Sequence, residues 1–195
     1  LLESGTITCL KEGTRKQLVH DVGELVSALD FEYQVMANHW SQKKSRPCQA
    51  GYCDVIEAFA GSAPFTKRAH LFNLTAGEPA DLNTGWDFLL WNDRERFLKY
   101  VSWSKPRLVV MGIDCTPWCW FNYAINYKHR PEELEAWQKR CVVFLILAEQ
   151  VAELQVARGD DFLLENPWTS KLLKHRITLR MISKLGLLLV RCAMC

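Results

Sequence analysis

The sequence predicts an α/β protein built on a doubly wound, mostly parallel sheet with helices on both faces. Three observations predict it. From Tyr52 onward, short apolar runs alternate with longer stretches of helical periodicity, the order that builds a parallel sheet. One run, residues 108–113, is almost unbroken in its apolar character, as suits a strand covered on both faces. Two strand ends are followed by turns rich in chemistry, Asp114-Cys115-Thr116-Pro117-Trp118-Cys119 and Glu165-Asn166-Pro167-Trp168. Open α/β sheets bind their ligands at such carboxyl ends.

The elements follow in order. Residues 1–50 read as an N-terminal helical extension and linker, and residues 51–195 as the α/β domain. Val22, Leu25, Val26, Leu29 and Met36 fall at loosely helical spacing over residues 21–36. Residues 41–47 are polar, basic and closed by Pro47, which suits a linker. Residues 53–59 read as a strand and 60–62 as a tight turn. Residues 64–71 follow as a helix with Pro64 in its first turn, and 71–76 as the next strand. Asn92 is the expected N-cap of a helix over 93–103, with Phe97, Tyr100 and Val101 on one face. Pro106 ends it, and 108–113 is the buried strand.

Pro131-Glu132-Glu133 then opens a helix, because proline suits the first turn and carboxylates suit the positive dipole end. That helix runs to Ala157 and is ended by Arg158-Gly159. Residues 162–165 make a strand, Thr169 or Ser170 caps a basic helix reaching Lys184, and 187–190 make a last strand.

Hydrophobic residues make up 49% of the 195-residue chain and charged residues 24%, a balance that excludes a disordered polymer. The formal net charge of +2 is too small to signal nucleic acid, so any such reading rests on local motifs. The first ten residues lack both a basic start and a sustained apolar run. The eight cysteines are therefore expected to be reduced thiols of an intracellular protein. The most apolar segment, residues 142–148, is too short for a bilayer, so no membrane span is expected. The chain begins without methionine and stops on Cys195 just after an apolar run, which reads as a fragment or processed form truncated at its C-terminus.

Four places carry candidate chemistry. Phe59-Ala60-Gly61-Ser62 is a glycine turn after a strand, where backbone can approach a ligand ahead of a helix N-terminus; an ordinary strand-to-helix turn is the alternative. The loop over 78–87 brings Glu78, Asp81 and Asp87. A carboxylate there can accept two ribose hydroxyls, and Asp87 can reach an adenine amino group beside Trp86 or Phe88. The alternative for each acid is a solvated turn. Cys115 is the candidate nucleophile, since thiolate chemistry needs access and a lowered pKa; a packed core thiol is the alternative. Glu165 directly follows Phe-Leu-Leu and precedes Asn-Pro, with capping of the next helix as its structural alternative.

Together and in this order, these pieces resemble the DNA cytosine-5 methyltransferase-like branch of the class I S-adenosylmethionine-dependent methyltransferases. Phe59-Ala60-Gly61 resembles the first cofactor motif and Cys115-Thr116-Pro117-Trp118 the catalytic Pro-Pro-Cys-x-Pro-aromatic loop. Glu165-Asn166 resembles the Glu-Asn-Val element, with Pro167 in the last place. The chain is also similar to methyltransferase-like segments in mobile-element reading frames of protists. The resemblance implies S-adenosylmethionine as cofactor, held by Phe59, Gly61, Ser62, Glu78, Asp81 and Asp87. It implies cytosine C5 of a nucleic acid as target, a flipped base, and a nuclear location if the target is DNA. Cys115, Glu165 and Asn166 are the catalytic residues it implies. Lys171, Lys174, His175, Arg176 and Arg180 are then candidates for phosphate contacts, with a solvated helix face as the alternative.

Other readings stay open. Asp114 stands where that family has proline, and a neighbouring carboxylate raises a thiol pKa. A catalytically silent structural or interaction subunit of a larger assembly is therefore one alternative, and eight tryptophans and nine phenylalanines suit burial against protein partners. An amino-methyltransferase acting on adenine or cytosine nitrogen is another, since Asn166-Pro167-Trp168 partly matches its Asp/Asn-Pro-Pro-aromatic turn. A zinc site drawing on Cys48, Cys53, Cys192 and Cys195 is a third.

Overall fold

The computed structural model describes residues 3–8 and 52–193. The helix expected over 21–36, the linker over 41–47, Cys48 and Cys195 lie outside the described residues. The chain forms a mixed α/β structure in which a three-stranded parallel sheet is flanked by helices. Strands β2 (Val55–Ala58), β3 (Leu108–Met111) and β4 (Asp161–Pro167) lie side by side in that order. Val55 pairs with Leu108, and Leu108 in turn with Asp161. Two further strands extend the sheet beyond β4. These are β1 (Glu3–Thr8), a strand inside the stretch read from the sequence as a helical extension and linker, and β5 (Leu188–Ala193). β1 runs antiparallel to both β4 and β5, so β2 to β5 all point the same way.

Side chains alternate across the parallel strands, as the pleat requires. Val55, Leu108, Val110 and Leu163 face α1 (Pro64–Arg68) through Phe65, together with Leu74. Ile56, Ala58, Val109, Met111, Phe162 and Leu164 enter the main core on the other side. There they join Phe97 and Val101 of α2 (Trp91–Ser104), Leu145, Ala148 and Val151 of α3 (Pro131–Arg158), and Ile177 and Met181 of α4 (Arg176–Leu185). The ends of α3 are as the sequence predicts: Pro131, Glu132 and Glu133 open it, and Gly159 closes it at φ 72°.

The two edges of β2 are used by different parts of the chain. Toward β3, Leu108 N–H donates to Asp54 O (2.9 Å) and Gly112 N–H to Ala58 O (3.1 Å). On the opposite edge, Gly77 N–H donates to Val55 O and Ala80 N–H to Glu57 O, both at 2.8 Å. The chain therefore leaves β2 to one side and returns on the other to form β3. That crossing opens a crevice at the carboxyl ends of the two strands.

Three expectations about elements are corrected. Residues 71–76 do not form a strand: a 3₁₀ turn occupies Ala69–Phe72, and only isolated bridges join Ala76 to Val55 and Ala80 to Ala58. Pro79 has no N–H to offer, and Gly77 leaves no room for a side chain beneath the Tyr100 hydroxyl. The N-cap of α2 is Leu90, not Asn92. The start is set one turn back, where Asp93 accepts the Asp87 N–H (2.8 Å) and Asp87 accepts that of Leu89 (2.9 Å). The basic helix after β4 is split: Ser170 caps a 3₁₀ turn, Lys171–Lys174, and His175 Nδ1 caps α4 by accepting the Ile177 N–H.

Candidate functional site

The turn after β2 is built from unusual backbone. Phe59, Gly61 and Ala63 all have φ between 51° and 54°, the left-handed region that costs a residue with a Cβ about 1–2 kcal/mol. Two contacts hold it there. Gly61 N–H donates to Asp81 Oδ2 (3.0 Å), and the Phe59 ring packs on Phe88 and Phe144 at centroid distances of 4.8 and 5.0 Å. Asp81 Oδ1 also accepts the Asn83 N–H (3.0 Å), so one carboxylate ties the acidic loop to the glycine turn.

A cleft of about 410 Å³ opens beside this turn. Its walls come from the ends of β2 and β3, the acidic loop and one face of α3. Asp81, Asp87 and Asp114 supply three carboxylates, Arg140 one guanidinium, and Phe59, Trp86, Phe88, Trp137 and Phe144 an aromatic wall. Arg96 lies over the Trp86 ring (4.0 Å) and fixes that side. An aromatic cleft with a few convergent polar groups has the make-up of a small-molecule site.

Next to the cleft, Cys115 caps a single 3₁₀ turn, Thr116–Trp118, stiffened by Pro117. Gln138 Nε2 donates to Pro117 O (2.7 Å) and pins the turn to α3. The thiol is half-buried and pushed up by burial, then by the charges of Asp114, Cys119 and Glu165. The register of the sheet sets Met111 beside Leu164, so the turn after β3 and Glu165 follow at the same edge. Burial pushes the Glu165 carboxyl up as well. Asn166 is fully buried: its Nδ2 donates to Ile113 O (2.7 Å), while its Oδ1 has no partner among the described residues.

Of the residues singled out in the sequence, Phe59, Gly61, Asp81 and Asp87 line the cleft, as do Trp86 and Phe88. Ser62 and Glu78 are exposed and do not line it. Cys115, Glu165 and Asn166 do not line it; Asp114, next to Cys115, does. Sequence reasoning missed Trp137, Arg140, Cys141 and Phe144. Their spacing of three and four along α3 assigns them to one helix face, but nothing local says which face turns to the cleft. Arg180 is already engaged, paired with Glu149, and Lys184 with Glu153 (2.6 Å), which clamps α4 to α3. Among the described residues no group of three or more His, Cys, Asp or Glu is arranged to hold a metal. No helix among them is long and apolar enough to cross a membrane.

No family model matches this chain, and no match appears among curated proteins or solved structures.

Proposed function

We propose that the chain is an S-adenosylmethionine-dependent methyltransferase-like domain whose target is cytosine C5 in nucleic acid. The observation that carries this reading is the cleft between the ends of β2 and β3, which combines Gly61, Asp81 and Asp87 with an aromatic wall and reaches Asp114, the residue before Cys115. Strand pairing on one edge of β2 and isolated parallel bridges on the other, with α1 on one face and α2 to α4 on the opposite face, support a doubly wound class I arrangement. The cleft fits the cofactor chemically: carboxylates for hydroxyls and an amine, rings for a purine, and an exposed glycine N-terminal to α1.

S-adenosylmethionine supplies an electrophilic methyl group to a carbon that has been made electron-rich. Making it so is the work of the protein. The Cys115 sulfur adds to C6 of the pyrimidine, and the ring electrons move toward C5. Glu165 in its protonated form donates to the ring nitrogen, a role its raised pKa favours. Protonation of Glu165 also removes a negative neighbour from Cys115, so base engagement and thiolate formation support each other. Loss of the C5 proton to solvent water then expels the Cys115 sulfur as thiolate, and the ring nitrogen returns its proton to Glu165, which restores the aromatic ring.

The raised thiol pKa favours a second reading, a domain that keeps the cleft and has lost turnover. An oligonucleotide carrying 5-fluorocytosine separates the two, because fluorine at C5 prevents the eliminating step. A covalent adduct at Cys115 in the presence of methyl donor is expected. A cleft that binds donor while no adduct or methylated product forms supports the silent domain instead.

A further inference from the structure

Beyond the cleft, the chain carries an exposed aromatic surface that the reaction does not use. After Cys115 it presents Trp120, Phe121 and Ile125, which are 52%, 56% and 49% exposed. This is not a loose loop. Asn122–Asn126 forms a π-helical turn in which Tyr127 N–H donates to Asn122 O (2.7 Å). Asn122 Nδ2 donates to Thr116 O, and Asn126 Nδ2 to Asn122 Oδ1 (2.7 Å). Such turns frequently mark functional sites, and this one holds large apolar rings out in water at a cost that burial would remove.

Two contacts join it to the basic segment after β4. Lys171 Nζ sits 3.5 Å from the centre of the Tyr123 ring, and the His175 ring meets Trp118 edge-on at 5.6 Å. Both segments are free of acid: residues 115–131 and 166–195 contain no Asp or Glu. Lys128, Lys171, Lys174 and Arg176 are exposed, and none has an ion pair among the described residues. In a chain of net charge +2, that is a local concentration of positive charge with aromatic rings set in it.

We propose that this surface binds unpaired nucleic acid, with bases stacking on Trp120 and Phe121 and phosphates meeting Lys128, Lys171, Lys174 and Arg176. Every base has a stackable face, and a cationic track follows the backbone, so the pairing is one of chemistry and not of sequence. The partner rests on the nucleic-acid reading above, but binding itself requires neither cofactor nor turnover. The surface adjoins Cys115, so a strand held on it has its bases out of the duplex stack and near the thiol.

The test is fluorescence anisotropy of a labelled single-stranded oligodeoxynucleotide and its duplex, with the full chain and no methyl donor. Tighter binding of the single strand is expected, weakening with salt by about 0.7 logarithmic units per phosphate contact. Trp120→Ala with Phe121→Ala should weaken it about tenfold or more, and Trp120→Phe with Phe121→Tyr should largely restore it. Lys171→Ala with Lys174→Ala should flatten the salt slope. Absence of binding at low salt, or binding indifferent to the ring substitutions, overturns the proposal. So does loss of self-association in sedimentation on ring removal without any oligonucleotide binding, which assigns the surface to a protein partner. Methyl incorporation measured alongside separates the two failures: binding without transfer sinks the mechanism alone, and transfer indifferent to the rings sinks the surface alone.

Discussion

After β2 the chain places three left-handed residues within five and fastens them with the Asp81 carboxylate and the Phe59–Phe88–Phe144 ring cluster. After β3 and β4, at the same edge of the sheet, the backbone is ordinary and the side chains are the unusual part. The Cys115 thiol and the Glu165 carboxyl are both pushed up, and Asn166 buries an oxygen with no partner among the described residues. The first region has spent backbone strain on a fixed shape, as a binding site does. In the second, burial disfavours the charged form of both titratable groups, a pattern often found where protons are exchanged. Under the proposed function, ligand recognition falls to the β2 side and chemistry to the β3–β4 side.

That division can be broken by substitution. The largest effect is expected from Cys115→Ala, which should abolish methyl transfer to a cytosine-containing oligonucleotide while leaving donor affinity in calorimetry unchanged. A parallel loss of affinity would mean that the two regions are not separable. Asp81→Ala should do the reverse first: it releases the Gly61 and Asn83 N–H groups. Charge-assisted bonds of this kind carry about 1.5–3 kcal/mol, so donor affinity should fall roughly 10- to 100-fold.

Asp114→Asn keeps an acceptor for the Thr116 N–H (2.9 Å) and removes one of the charges that raise the thiol. The pH profile of Cys115 alkylation should move to lower pH, and no movement would contradict the electrostatic account of that turn.

Glu165→Gln tests the same region through stability. A carboxyl whose folded pKa is raised contributes stability below its unfolded value of 4.5, and that contribution is lost as pH rises through the folded value. Relative to the parent, the glutamine variant should therefore gain thermal stability between acid and neutral pH, while losing transfer. The smallest effect is expected from Ala63→Gly, which relieves a left-handed alanine and should stabilise the fold by about 1 kcal/mol in denaturant titration.

How far the sequence is legible follows from how local each signal is. The limits of α3 are readable because Pro131, the two glutamates and Gly159 act within a turn of themselves. The glycine turn and Asp81 and Asp87 are readable for the same reason. β1 is not, since its partners in β4 and β5 lie more than 150 residues on, and nothing within Glu3–Thr8 names them. The start of α2 depends on a bond between Asp93 and the chain six residues earlier. The break at His175 divides a stretch of continuous helical pattern. The state of Cys115 is the least legible of all, because Glu165, fifty residues later, helps to set it.

The most direct test of the division is a crystal of the protein soaked with S-adenosylhomocysteine. Density beside Gly61 and Asp87, with the sulfur end toward Asp114 and Cys115, is the predicted result. An empty cleft at saturating ligand, or density elsewhere on the molecule, would contradict the account.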